Sequence, residues 1–135
     1  MIKLEIHTLT GQLDIEIKRN ENFYVLLIIV SKSQYFKENG KVWSGKIIET
    51  ERLFEIVSLI KKSYNRPSIP TTITINDGKL IKINLHHDQL QVSLNLIDIE
   101  KNTNEFELIE EIKKFTNEVT GNDPTLQDYL NLFMD

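Results

Sequence analysis

The sequence predicts an α+β fold: one mostly antiparallel sheet of about six to seven strands, two amphipathic helices and a short C-terminal helix. Short apolar or alternating segments, typical of strands, are separated by residues that favour hairpin turns. Apolar residues at three- and four-residue spacing mark two helices, and each helix follows a group of strands. The 135 residues match the length of one domain, residues 1–135, whose core needs neither disulfides nor metals.

Seven segments have strand patterns. In the first two segments apolar and polar side chains alternate, which predicts one buried face and one solvent-exposed face. The third is continuously apolar, which predicts a central strand covered on both faces. The segments span residues 2–6, 13–17, 23–30, 41–48, 72–75, 80–85 and 90–97. The turns between them are predicted at Thr10-Gly11, Asn20-Glu21-Asn22, Asn39-Gly40, Asn76-Asp77-Gly78 and His86-His87-Asp88.

Each predicted helix has residues that suit its ends. The first lies between Thr50 and Pro67, the second between an Asn104 and Glu107 capping box and Gly121, and the third begins at Asp123-Pro124. The core-facing stripes are Leu53, Ile56, Val57, Ile60 and Tyr64; Phe106, Ile109, Ile112, Phe115 and Val119; and Leu126, Tyr129, Leu130 and Phe133. The third stripe either docks on the core or contributes to a subunit interface, for example in a homodimer.

The two halves of the chain, residues 1–67 and 68–135, share an order of elements. Gly11-Gln12-Leu13 and Gly78-Lys79-Leu80 open comparable strand pairs, and an amphipathic helix follows in each half. One interpretation is a duplicated strand-strand-helix unit. The other is a chance similarity between two amphipathic patterns, and the sequence leaves both open.

Charge is distributed unevenly along the chain. The net charge of −4 combines a net charge of +3 for residues 1–67 with one of −7 for residues 68–135. The last two helices should therefore present an acidic face that binds a basic protein and disfavours nucleic acid. Alternatively, these acidic residues form an ordinary solvent-exposed helix surface that binds no partner. The candidate partner-binding residues are Glu105, Glu107, Glu110, Glu111, Glu118, Asp123 and Asp128.

Residues 31–46 have the opposite character, because lysines alternate there with aromatic residues. Lysines can bind phosphates while aromatic rings stack on bases, as in proteins that bind single-stranded nucleic acid. The alternative is a purely structural hairpin, in which the lysines face solvent and Trp43 packs against the core. The candidate nucleic-acid-binding residues are Tyr35, Lys37, Lys41, Trp43 and Lys46.

The sequence contains no recognisable catalytic, cofactor or metal motif. It has no cysteine, and its five glycines stand beside turns or helix ends instead of forming a phosphate loop. Adjacent His86 and His87 would point to opposite faces of a strand, and His7 has no catalytic partner at a recognisable spacing. No apolar run is long enough to span a membrane, and the alternating first residues resemble a strand more than a signal peptide, which predicts a cytoplasmic protein.

These observations favour a non-enzymatic, cytoplasmic protein-binding domain with an acidic helical face. A bacterial immunity protein that neutralises a nuclease-type toxin would have this character. The alternative is a single-stranded nucleic-acid-binding protein that uses residues 31–46. A third hypothesis, an enzyme or ligand binder with a pocket between sheet and helices, would require a histidine beside a carboxylate in a cleft.

Overall fold

The computed structural model describes residues 1–8, 11–31, 41–65, 80–87, 89–96 and 101–134. These residues form one six-stranded antiparallel sheet and three helices, which confirms the predicted α+β fold. The predicted strand at 72–75 lies outside the described residues. The strands are β1 (Ile2–Thr8), β2 (Gly11–Asn20), β3 (Phe23–Ser31), β4 (Lys41–Ile47), β5 (Leu80–His87) and β6 (Leu90–Leu96). The helices are α1 (Glu51–Asn65), α2 (Asn104–Val119) and α3 (Pro124–Met134).

The strand order in the sheet is β4-β3-β2-β1-β5-β6, and all neighbours are antiparallel. Strands β1 to β4 form a meander that extends to one side of β1. After α1 the chain continues in β5, which pairs with the other side of β1 and places Leu4 opposite Ile83. The first strand in the sequence is therefore in the interior of the sheet, between β2 and β5.

The core lies between one face of the sheet and the helices. Alternate residues of the central strands are buried, as Leu4, Ile15 and Ile28 illustrate at no more than 1% exposure. The intervening residues of β1 and β2 are polar and form an open face, because no described helix covers that side. Burial of this one face provides the main apolar stabilisation of the sheet.

The prediction that the third strand is central and covered on both faces is wrong. β3 is second from the edge of the sheet, and only its alternate residues Leu26, Ile28 and Val30 are buried. Val25 and Leu27, on the open face, are half-buried. A continuous apolar run does not distinguish a strand that is covered on both faces from one whose second face is open.

Helix α1 begins where predicted and buries most of its predicted stripe, whereas Pro67, which was predicted to end it, lies outside the described residues. The carbonyl of Thr50 accepts a hydrogen bond from the amide of Phe54 at 2.9 Å, as expected of the residue that precedes the helix. Leu53 and Ile60 are fully buried. Tyr64 was predicted to face the core but is 52% exposed, whereas Ser63 beside it is 1% exposed, so that position 63 and not position 64 faces the core in the last turn of α1.

The predicted capping box of α2 is wrong by one residue. Thr103 is the N-cap, and its hydroxyl accepts a hydrogen bond from the Phe106 amide at 3.2 Å, so that Asn104 is already helical. Both residues can cap a helix, and the backbone conformation selects the first. The predicted end at Gly121 is confirmed, since its φ of +82° is a left-handed conformation that glycine adopts without strain.

Helix α3 begins as predicted and docks on the core. Asp123 Oδ1 accepts hydrogen bonds from the amides of Thr125 at 2.8 Å and Leu126 at 3.2 Å. Leu126 and Phe133 are at most 1% exposed. Of the two alternatives for this apolar segment, the structure therefore supports docking within the chain.

The predicted polar turn at His86-His87-Asp88 begins later than expected. His86 and His87 belong to β5, whereas Asp88 lies outside the described residues. The two imidazoles project to opposite faces of the sheet, as predicted. His87 is on the helix side, where its ring centroid is 5.7 Å from that of Phe54 in α1.

Candidate protein-binding surface

Helices α1 and α2 run antiparallel and are joined by Arg52. The Arg52 guanidinium forms a salt bridge with Glu118, and a second guanidinium nitrogen is 3.7 Å from Glu111. The guanidinium also lies 5.7 Å from the centre of the Phe115 ring. One arginine from the first half of the chain therefore neutralises part of the acidic charge of the second half.

A groove of about 410 Å³ lies between these two helices, beside the Arg52 contact. The apolar residues that line it are Ile56, which is buried, and Leu59, which is half-buried. Glu55 on α1 and Glu107 on α2 line the groove as exposed residues, and neither has an ion-pair partner within the described part of the chain. The other residues that line the groove are Ser58, Lys62 and Glu111. The groove thus combines an apolar surface with two available carboxylates.

The structure distributes the predicted acidic residues among different roles. Glu105 is buried, at 9% exposure. Glu110 is 3.5 Å from the Lys113 ammonium, and Asp123 caps α3. Because Glu111 and Glu118 contact Arg52, Glu107 and Asp128 are the only two of the predicted acidic residues that are exposed and have no ion-pair partner among the described residues. The acidic surface that a partner can contact is therefore smaller than the set of predicted acidic residues.

The basic and aromatic candidates do not form one surface within the described residues. Trp43 is on the helix-covered side of β4, and its ring centroid is 5.7 Å from that of Tyr129. The Lys41 ammonium is 5.6 Å from the centre of the same Tyr129 ring. Lys46 is on the opposite, open side of the sheet, where its ammonium is 4.1 Å from the centre of the Phe23 ring. Tyr35 and Lys37 lie outside the described residues.

The open sheet face carries a network of ion pairs along β1 and β2. The Lys3 ammonium is 3.1 Å from Glu5 and 3.9 Å from Glu16, which is also 3.3 Å from Lys18. The hydrogen bond from Lys3 lowers the pKa of the Glu5 carboxyl, and the same hydrogen bond raises the pKa of Lys3. These charges mainly stabilise one another.

Within the described part of the chain, His7 and His86 lie near carboxylates on the open face of the sheet and not in a cleft between sheet and helices. His7 Nε2 is 3.4 Å from Glu5, but both residues are on the open face. His86 and Glu16 line a depression of about 160 Å³ at the end of the same face. Glu16 is already engaged by two lysines. This arrangement does not match the cleft that the enzyme hypothesis requires.

Sequence reasoning missed the contribution of α1 to the groove. Glu55, Leu59 and Lys62 follow the three- and four-residue spacing of one helix face, adjacent to the core stripe. That spacing could have identified a second, mixed face on α1. Its juxtaposition with Glu107 depends on the packing of the helices and has no local signal.

No protein-family model, curated protein or solved structure matches this chain. Within the described residues, no helix is long and apolar enough to cross a membrane.

Proposed function

We propose that this protein is a non-enzymatic protein-binding domain that engages a basic partner through the groove between α1 and α2. The observation that supports this proposal is the position of Glu55 and Glu107, which line the groove from different helices together with the half-buried Leu59. A lysine or arginine of the partner would place its charge near the two carboxylates and its aliphatic stem on Leu59.

The surroundings of the groove restrict where that cation can bind. Lys62 lines the groove and repels a second positive charge nearby, while Glu111 is already in contact with Arg52. The Glu55 and Glu107 carboxylates are therefore the favourable position for a partner cation. Clustered acids also accelerate the encounter with a cationic protein, and this acceleration weakens as salt screens the charges.

An immunity protein is one specific case of this proposed function. In that case the partner is a cationic nuclease toxin, and the groove occupies basic residues that the toxin needs to bind its phosphate-rich substrate. Co-production of this protein should then protect cells from the toxin, and a gene for such a toxin should lie next to the gene for this protein.

A charge-reversal experiment tests the groove. The wild type, Glu55→Lys/Glu107→Lys and the control Glu21→Lys/Glu49→Lys are immobilised and exposed to one lysate of the source organism. The control changes the net charge by the same amount at two exposed acids outside the groove. We expect the wild type and the control to retain the same basic protein, and the groove variant to bind it at least about tenfold more weakly.

The salt dependence and the identity of the bound molecule decide the result. A basic protein that is released by high salt supports the proposal. Equal retention of that protein by all three variants contradicts it, as does retention of nucleic acid alone. In the latter case the alternative surface around Lys41 and Trp43 becomes the better candidate.

A further inference from the structure

Within the described residues, β6 is an edge strand that lacks the usual protection against pairing. It is last in the sheet, and within the described residues it pairs only with β5. Natural edge strands are commonly protected by charged residues, prolines or bulges. The seven residues of β6, LQVSLNL, include no charge and no proline, and their register with β5 is unbroken from Leu90 to Leu96.

The order of residues in β6 is chemically almost the same in both directions. A second β6 that pairs antiparallel about Ser93 would match like residues at every position. Apolar residues would meet on the side of the sheet that carries the helices, and amides and hydroxyls would meet on the open side. The opposed pairs are Leu90 with Leu96, Gln91 with Asn95, Val92 with Leu94, and Ser93 with itself.

Apolar side chains at this edge are incompletely covered in one copy of the chain. Leu90 is 42% exposed, and Leu94 and Leu96 are half-buried against the edge of the core. Pairing about Ser93 would bring these side chains from two copies together on the helix side of the sheet. It would also provide hydrogen-bond partners for the outer row of backbone amides and carbonyls, which face no strand within the described residues.

The other edge strand, β4, does not have this self-complementarity. Antiparallel pairing about its middle residue, Ser44, would oppose Lys46 to Val42 and Lys41 to Ile47. Each charged residue would then be placed against an apolar one. The comparison singles out β6, because an interface that pairs with itself about a two-fold axis requires the same surface to be complementary to its own copy.

We propose that the protein forms a homodimer in which the β6 strands of two copies pair antiparallel about Ser93 and join the two sheets into one. The groove between α1 and α2 contributes no residue to this strand pairing. The dimer is therefore separate from the proposed binding of a basic partner, and either can fail without the other.

Two matched variants test the pairing. Gln91→Glu/Asn95→Glu places like charges opposite each other twice across the dimer axis, whereas Gln91→Lys/Asn95→Glu places opposite charges there. Both wild-type residues are exposed, and within one chain Asn95 is opposite Lys82, so that the glutamate at position 95 suits the fold of both variants. Circular dichroism checks that each variant is folded.

Molar mass is measured by light scattering between about 1 and 100 μM protein. We expect the wild type and the Lys/Glu variant to reach twice the 15.8 kDa of one chain. The dimer dissociation constant of the Glu/Glu variant should be raised about tenfold or more. A monomeric wild type across this range overturns the proposal, as does a Glu/Glu variant that dimerises as tightly as the wild type.

Hydrogen exchange of the wild type provides a second test that needs no variant. Backbone amides on the outer edge of β6 should exchange more slowly as the protein concentration rises, whereas the protection of amides in β1 should not change. Rapid exchange of these β6 amides at every concentration would contradict the pairing.

Discussion

At the scale of single residues, Gly45 shows how closely α2 approaches the sheet. A Cβ atom at this position would lie 2.6 Å from Cγ1 of Val119 and 2.7 Å from its carbonyl oxygen. Both distances are shorter than side chains tolerate, and the backbone oxygen cannot rotate away. Glycine at position 45 therefore permits the end of α2 to rest on β4, next to the contact between Trp43 and Tyr129.

We expect Gly45→Ala to lower the free energy of unfolding by about 1–3 kcal/mol, because α2 must move away from β4. Urea unfolding measures this change. Ser44→Ala is the control, since Ser44 is exposed, and it should change the free energy by less than about 0.5 kcal/mol. Equal stabilities of the two variants would show that the close approach is not required.

At the scale of elements, residues of different helices determine how much of the acidic charge is available. Glu111 and Glu118 look like free acids in the sequence, but antiparallel packing places both beside Arg52. Glu107 has no such partner among the described residues and lies across the groove from Glu55. The candidate site is therefore a property of the helix pair and not of α2 alone.

We expect Arg52→Met to lower the free energy of unfolding by at most about 1 kcal/mol, because its ion pairs are partly exposed and screened by water. Methionine preserves an apolar stem near Phe115 but removes the charge. The loss should shrink as salt is added, whereas Arg19→Met, at an exposed position in β2, should show little effect at any salt concentration. Thermal unfolding at low and high salt measures both, and a loss that is unchanged by salt would indicate that packing dominates.

At the scale of the whole molecule, α3 completes the core that the sheet and the first two helices begin. Phe133 is among the largest fully buried side chains, and Met134 beside it is also buried. The neighbouring Leu132 is 57% exposed. The last helix is therefore an integral part of the fold, and the period of its apolar residues correctly predicted Leu126, Leu130 and Phe133 as core residues.

We expect Phe133→Ala to lower the free energy of unfolding by about 3–5 kcal/mol through lost burial and a residual cavity. Leu132→Ala should lower it by less than about 0.5 kcal/mol, because its side chain is largely solvated. Urea unfolding followed by the fluorescence of Trp43, which contacts Tyr129 of α3, measures both variants. A similar loss for both would mean that α3 does not dock as described.

Local patterns in the sequence predicted most elements and several of their ends. Alternation identified β1 and β2, helical spacing identified most of the core stripe of each helix, and Asp123 and Gly121 marked helix ends through their local chemistry. The same patterns failed where two neighbouring residues were equally suited to the N-cap position, as with Thr103 and Asn104. They also failed where a small polar residue faces the core, as with the buried Ser63 beside the exposed Tyr64.

The sequence by itself determined the α+β class, the hairpins, the amphipathic helices and the excess of acid in the second half, because each depends on residues that are close together in the chain. Only the tertiary structure decided that β1 lies inside the sheet, that β6 lies at its edge, and that Arg52 neutralises Glu118 while Glu55 and Glu107 line one groove. These features depend on contacts between residues that are distant in sequence. Packing of the whole core selects such contacts, and no local period or charge count encodes them.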